Sequence, residues 1–138
     1  MTPQTMNYDT AKSIGYNTSI TEVNYRGPLN EYDDFCEFVR LKFPNVTSFR
    51  VNVPVDHIPD NLMYRLEKVN CASTNITKLR YGPNINTLIA TNTGIQLEDV
   101  LHDAKKISYL KIGNVYDGTR VTIDSHSEFL EFVNAPPL

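Results

Sequence analysis

The residues best suited to catalysis in this sequence are three histidines, each one or two positions from an aspartate. The pairs are His57 with Asp56, His102 with Asp103, and His126 with Asp124. Adjacent side chains of a strand point to opposite faces, so neighbours in sequence do not by themselves form a catalytic dyad. The histidines also lack the i, i+4 spacing and the cysteine pair that favour a zinc site. We interpret them as surface histidines beside surface aspartates, and we predict no catalytic residue and no metal.

The two cysteines, Cys36 and Cys71, do not form a C-x-x-C pair, which indicates free thiols in a reducing compartment. Cys71 occupies an apolar pattern and is expected in the core. Carboxylates on either side of Cys36 disfavour a thiolate there, which argues against a nucleophile. Glycine-rich nucleotide-binding loops of the G-x-x-x-x-G-K-[ST] and G-x-G-x-x-G types are absent from the sequence. We therefore predict no cofactor and no enzymatic activity.

The length and the charge of the chain reduce the number of function classes that fit it. The chain of 138 residues fits one domain, and its formal charge of −3 offers no global positive field for nucleic acid. No apolar run approaches the ~20 residues needed to span a bilayer. The polar first ten residues lack the apolar stretch of a signal peptide, so we expect an intracellular protein. The abundance of Asn, Ile and Tyr is typical of an AT-rich genome and suggests a viral or protist source.

One apolar pattern recurs along the chain and predicts the elements that position the other side chains. Each occurrence is apolar at its first, fourth and sixth positions. The five occurrences are Ile20-Val23-Tyr25, Val46-Phe49-Val51, Leu66-Val69-Cys71, Ile85-Leu88-Ala90 and Ile107-Leu110-Ile112. Positions four and six of a short strand face the same side, so each unit has one apolar face that it cannot bury alone. We therefore predict five parallel neighbouring strands that share one core.

The unit that begins at Leu66 extends this pattern through Thr74, Ile76 and Leu79 and fills the template L-x-x-L-x-L-x-x-N-x-I-x-x-L, except that Thr74 replaces Asn. Thr93 and Ile95 repeat the arrangement in the next unit. Over residues 20–115 the chain thus resembles the leucine-rich-repeat family. The resemblance implies an α/β solenoid of about five irregular repeats, with a curved parallel sheet and short helices or loops on its convex side. In place of the family's Asn ladder, Thr74 and Thr93 are expected to hydrogen-bond the loop backbone in part.

The segments outside the strands complete a single domain. Residues 1–19 are predicted to form an N-terminal arm or cap with a frayed end, and residues 116–138 a C-terminal cap. Amphipathic spacing predicts helices over 30–42, 97–104 and 128–133. In the first of these, Phe35, Phe38, Val39 and Leu41 supply the apolar positions. The dipeptide Asp117-Gly118 between apolar runs predicts a hairpin.

The remaining strand positions line the concave face in this interpretation. Arg26, Arg50, Lys68 and Lys111 outnumber Glu22 and Glu67 there, a formal +2 that leaves −5 for the rest of the chain. We predict a protein partner that contacts a diagonal of five residues, namely Arg50, Asn70, Ile89, Tyr109 and Lys111. Arg and Tyr are enriched in interface hot spots. Two alternatives to this hypothesis remain. The protein is either a structural component of a larger assembly, such as a viral particle, or an enzyme. The sequence predicts neither the identity of the partner nor an oligomeric state.

Overall fold

A computed structural model describes residues 4–79, 83–96, 100, 106–113, 121–125 and 127. Its strands are β1 (Gln4–Met6), β2 (Glu22–Tyr25), β3 (Ser48–Val51), β4 (Lys68–Asn70), β5 (Thr87–Thr91), β6 (Tyr109–Gly113) and β7 (Val121–Ile123). These described strands form one seven-stranded sheet in which spatial order follows chain order. Strands β1 to β6 are parallel, and β7 is antiparallel to β6. The prediction that the five occurrences of the apolar pattern contribute parallel neighbouring strands is confirmed.

The strands of the five units enter the sheet through the same backbone hydrogen bonds. The residue at position two of each unit donates its N–H to the carbonyl of position two in the preceding unit. These bonds join Thr47 to Thr21, Glu67 to Thr47, Asn86 to Glu67 and Ser108 to Asn86, at 2.8 to 3.0 Å. The next residue of each unit donates to the same carbonyl at 3.1 to 3.2 Å. These four sets of hydrogen bonds therefore hold the five strands in the same register.

The apolar positions of the pattern form the core. All fifteen residues at positions one, four and six are buried, and none is more than 5% exposed. Alternation along each strand produces this outcome, because residues two apart share a face of the sheet. Burial in β3 and β5, for example, alternates residue by residue. The apolar face that each unit cannot bury alone is thus covered.

Helices lie against this apolar face. Helix α1 (Tyr8–Ile14) begins at Asn7, whose side chain accepts a hydrogen bond from the N–H of Thr10. Helix α2 (Tyr32–Lys42) follows a 3₁₀ turn (Leu29–Glu31), close to the predicted range. The ring of Phe35 on α2 stacks against Tyr25 of β2 and Phe49 of β3, at centroid distances of 4.6 and 6.4 Å. A short helix, α3 (Asp60–Met63), precedes β4.

One apolar position of α2 was assigned wrongly. Leu41 is 52% exposed, whereas Phe35 and Val39 are fully buried. Positions 35 and 39 are four residues apart and share a face. Residue 41 is rotated about 200° from residue 39 at about 100° per residue, which places the two side chains on nearly opposite faces. Leu41 therefore points away from the sheet.

The turns after β4 and β5 repeat each other, as the two threonines predict. Thr74 donates its hydroxyl to the carbonyl of Cys71 at 2.7 Å and accepts from the N–H of Ile76 at 3.4 Å. Thr93 makes the same pair of bonds, to Ala90 at 2.8 Å and from Ile95 at 3.2 Å. The residue before each threonine has a positive φ, 62° at Ser73 and 58° at Asn92. The expected bonding of both threonines to the loop backbone is confirmed.

The predictions for the two ends of the chain differ in how well they agree with the structure. The frayed N-terminal end was wrong for residues 4–14, because β1 pairs with β2 and α1 packs beside α2. At the other end, β7 pairs with β6 through Leu110 and Ile123, in agreement with the predicted hairpin. The turn residues Asp117 and Gly118 lie outside the described residues, as do the helix predicted over 128–133 and, apart from Val100, the helix predicted over 97–104. Within the described residues, no helix has the length and apolarity required to cross a membrane.

Candidate functional site

The predicted partner-binding residues lie on the face of the sheet opposite the core. Strand register aligns one residue of every strand in a row that crosses the whole sheet: Thr5, Asn24, Arg50, Asn70, Ile89, Lys111 and Thr122. Four of the five predicted residues belong to this row. Tyr109 belongs to the neighbouring row, which also contains Lys68 and Thr87. The predicted diagonal is therefore a straight row plus one adjacent residue, because successive strands are not shifted along their length.

Hydrogen bonds across strands orient the charged end of this row. The Nε of Arg50 donates to Oδ1 of Asn52 at 2.7 Å. The amide of Asn52 then donates to the carbonyl of Ala72 at 2.9 Å and to Oδ1 of Asn70 at 3.3 Å. Oδ1 of Asn70 also accepts from the N–H of Ala72. Arg50 is exposed, yet its guanidinium direction is set by a chain of contacts that ends in the next strand.

The other end of the row combines an aromatic ring, a cation and an apolar side chain. The ammonium of Lys111 lies 5.7 Å from the ring centroid of Tyr109, within the range of a cation–π contact. Ile89, opposite Lys111 in the register, is half-buried on a face where polar residues are the rule. All three side chains remain partly open to solvent. This end of the row can contribute apolar contact as well as charge.

A depression of about 380 Å³ lies where β2 and β3 end, beside Arg50. Asn24, Tyr25, Arg26, Arg50, Asn52 and Val53 line it. The sequence interpretation counted Arg26 as a charge of the face but did not select it, and it did not select Asn52. Both residues occupy position seven of their units, and the register of β2 with β3 brings that position close to the strand ends. The repeat pattern could have identified them as a second layer of the same face.

A second polar cluster joins α2 to the loop after β3. Nδ1 of His57 contacts Asp56 and Nε2 contacts Asp33, both at 2.6 Å. The hydrogen bond with Asp56, together with Asp33, raises the pKa of His57 above its ordinary value despite partial desolvation. His57 is thus a surface histidine beside a surface aspartate, as predicted, with side chains 46% and 80% exposed. Asp33 is 24 residues from His57 in the sequence, and no sequence pattern indicated that the two side chains are in contact. His102 and His126 lie outside the described residues.

The geometry of these carboxylates and the burial of the two thiols limit the chemistry open to them. The two carboxylates of the His57 cluster sit at opposite ring nitrogens and so do not converge on one point. Among the described residues, no group of three or more His, Cys, Asp or Glu is arranged to hold a metal ion. Both cysteines are free and buried, and burial raises the pKa of each thiol to about 12. For Cys36 the burial is the larger cause, with a smaller contribution from Asp33.

No family model matches the chain, and the searches of curated proteins and of solved structures give no match either. The functional argument therefore depends on the geometry described above.

Proposed function

We propose that this domain is a non-enzymatic protein-interaction module of the leucine-rich-repeat type. It binds a partner on its exposed strand face through Arg50, Asn70, Ile89, Tyr109 and Lys111. The observation that carries the proposal is the straight row of solvent-accessible side chains across four adjacent parallel strands. Within this row and its neighbour, a guanidinium, an amide, an aliphatic side chain, a phenol and an ammonium stand side by side. Such mixed chemistry on a rigid sheet suits recognition of another protein.

The repeat architecture is supported by features that recur at successive strands. The position-two hydrogen bonds occur at four successive steps, and the threonine turn occurs in two successive units. The fifteen buried pattern positions come from the same three places in every unit. In a solenoid of this kind the outer connections absorb differences in repeat length while the strands stay in register. The exposed strand face would then be the concave surface, and the helices the convex one.

The size of this face indicates the kind of partner. Seven strands of three to five residues, spaced about 4.8 Å apart, present a face of about 29 Å by 17 Å where the strands are longest. That plan area of about 500 Å² is below the ~800 Å² that each partner buries in a standard interface. We therefore expect the partner to offer an extended segment or a small surface. A face with a formal +2 on a chain of net −3 favours an acidic partner, and the proposed setting is intracellular.

The test compares two double variants that change charge equally. Arg50→Glu with Lys111→Glu reverses two cations of the row, and Lys42→Glu with Lys78→Glu reverses two exposed cations outside the strands. A partner captured from native cells by the wild-type protein should also bind the control variant. Its affinity for the Arg50/Lys111 variant should fall about tenfold or more, with an unchanged melting temperature, since surface substitutions cost little stability.

Equal affinity of both variants for the captured partner would contradict the strand-face model. Sedimentation velocity distinguishes the interaction module from a structural component of a larger assembly. A structural component would form large homo-oligomers without any partner. A monomer that retains partner binding supports the interaction module.

A further inference from the structure

The depression between the ends of β2 and β3 has the composition of an anion subsite. Two of its six lining residues are arginines and none is acidic. We propose that it is a carboxylate-binding subsite, which takes an Asp or Glu side chain from an acidic peptide segment of the partner. The inference rests on the proposed function, because it specifies what the partner presents to one end of the strand face.

Arg50 offers the depression a defined pair of donors. Its Nε is occupied by Asn52, so the two terminal nitrogens of the guanidinium are the donors that remain. They lie in one plane and present parallel N–H groups, the arrangement that matches the two oxygens of a carboxylate. Asn52 is fixed in turn by the carbonyl of Ala72. A ligand therefore meets a guanidinium that has already lost part of its rotational freedom, which lowers the entropic cost of binding.

Arg26 supplies the second cation from the neighbouring strand. Its backbone N–H donates to the carbonyl of Met6 at 2.9 Å, which ties its main chain to β1. The following residue has no room for a side chain, because a Cβ on Gly27 would lie 2.8 Å from the Tyr25 hydroxyl oxygen. That hydroxyl donates to the carbonyl of Pro28 and closes the turn. The main chain of Arg26 is thus held while its exposed side chain makes no ion pair within the described part of the chain.

Charge complementarity selects a carboxylate as the occupant. Among the described residues neither arginine forms an ion pair, and both line the same depression. Two cations at one depression repel each other, and an anion bound there reduces that repulsion. The volume of about 380 Å³ is at the lower end of the range for ligand pockets, so the depression suits one side chain with water rather than a continuous polyanion. The net charge of −3 and the negative surface elsewhere further disfavour a nucleic-acid backbone. A phosphorylated side chain would use the same donors and is treated as a competing outcome.

The experiment is a nuclear magnetic resonance titration of the full chain with blocked pentapeptides. The probes are Gly-Glu-Glu-Glu-Gly, its Gln counterpart and a peptide with phosphoserine at the centre. The variants are Arg26→Gln with Arg50→Gln and, as a control of equal charge change, Lys42→Gln with Lys78→Gln. We expect saturable shifts of the Asn24 and Asn52 amides and of the arginine Nε–H signals with the Glu peptide. The arginine variant should weaken this binding about fivefold to tenfold, and the control less than about twofold.

Equal weakening by both variants, or equal binding of the Gln peptide, would overturn the subsite and indicate diffuse electrostatic attraction. Clearly tighter binding of the phosphoserine peptide than of the Glu peptide would overturn the assignment to carboxylate. Failure of the subsite can be distinguished from failure of the proposed function. If the subsite fails while Arg50→Glu with Lys111→Glu still weakens partner binding by about tenfold or more, the strand face binds its partner without this subsite.

Discussion

At the scale of single residues, Arg65 holds the carboxyl end of α2. Its guanidinium donates to the carbonyls of Val39, Arg40 and Phe43 at 2.9 to 3.1 Å. The last carbonyls of a helix have no partner within the helix and carry partial negative charge, so a cation there satisfies both needs. Arg65 follows α3, and these bonds therefore connect two segments outside the sheet that are 22 to 26 residues apart.

We predict that Arg65→Met lowers the free energy of unfolding by about 2 kcal/mol, since hydrogen bonds to charged groups contribute about 1.5–3 kcal/mol. Urea denaturation followed by circular dichroism measures the change. Arg40→Met is the matched control, because within the described residues the Arg40 side chain forms its ion pair with the exposed Glu37 one helical turn away. The control should cost less than about 0.5 kcal/mol. Equal losses in the two variants would show that the Arg65 bonds do not stabilise α2.

His57 makes stability depend on pH near neutrality. The pKa of His57 is raised by Asp56 and then Asp33, so the folded protein binds the proton more tightly than the unfolded chain. The resulting stabilisation is fully present below the ordinary pKa of 6.5 and is lost as the pH rises through the higher folded value. At the acid end, the pKa of Asp56 is lowered by His57, so its contribution disappears as that carboxylate becomes protonated.

We therefore expect wild type to exceed His57→Gln in unfolding free energy at about pH 5.5, and the difference to shrink by about pH 8.5. The difference should be modest, because the histidine side chain is 46% exposed and both carboxylates are more so. Urea titrations at the two pH values measure it. A constant difference between the proteins would mean that His57 is not protonated between its two carboxylates.

At the scale of elements, the threonine turns after β4 and β5 fix where each strand ends. Thr74 is 4% exposed, and its hydroxyl satisfies one carbonyl and one N–H of the turn. Thr93 does the same in a more exposed setting. A buried backbone group without a partner costs about 1–3 kcal/mol, so the hydroxyl in each turn has a defined energetic role.

Thr74→Val keeps the shape of the side chain and removes the hydroxyl. We predict a loss of about 1–3 kcal/mol in unfolding free energy, and a smaller loss for Thr93→Val because water can replace the hydroxyl there. Thermal and urea denaturation measure both changes. Thr74→Ser is the control, since it keeps the hydroxyl and should retain most of the stability. A serine variant as unstable as the valine variant would assign the effect to packing of the methyl group instead.

The apolar pattern predicted the inward face of the sheet because alternation in a strand leaves little choice of which residues are buried. It could not predict β1, because Gln4-Thr5-Met6 contains only one apolar residue and its pairing with β2 depends on the fold. Nor could it predict the straight row of the candidate site. The units begin 26, 20, 19 and 22 residues apart, and only the structure reveals that the connections absorb these differences while the strands stay in phase.

The same limit applies to polar contacts between distant segments. The contact of His57 with Asp33, and those of Arg65 with the end of α2, each join groups more than 20 residues apart. Polar side chains on connecting segments follow no periodicity, so their partners are set by how the segments pack. Sequence reasoning therefore identified the strand face from its alternation but missed the arginine depression and the His57 cluster.

At the scale of the whole molecule, the two faces of the sheet differ in what they carry. One face carries the apolar core and the helices, and the other presents the row from Arg50 to Lys111. Helix α2, on the core side of the sheet, carries exposed carboxylates at Asp33, Asp34 and Glu37 and cations at Arg40 and Lys42 in its last turn. We propose that these carboxylates repel an acidic partner from the start of α2 and so favour the strand face.

Cross-saturation transfer from the captured partner to the isotope-labelled protein tests this assignment most directly. Saturation of the partner should attenuate the amide signals of Arg50, Asn70, Ile89, Tyr109 and Lys111, while those of Asp34, Glu37 and Leu41 on α2 stay unchanged. The expected reason is that saturation passes only between protons in contact across an interface. Attenuation on α2 with an unaffected strand face would contradict the account and assign partner binding to the acidic side of the molecule.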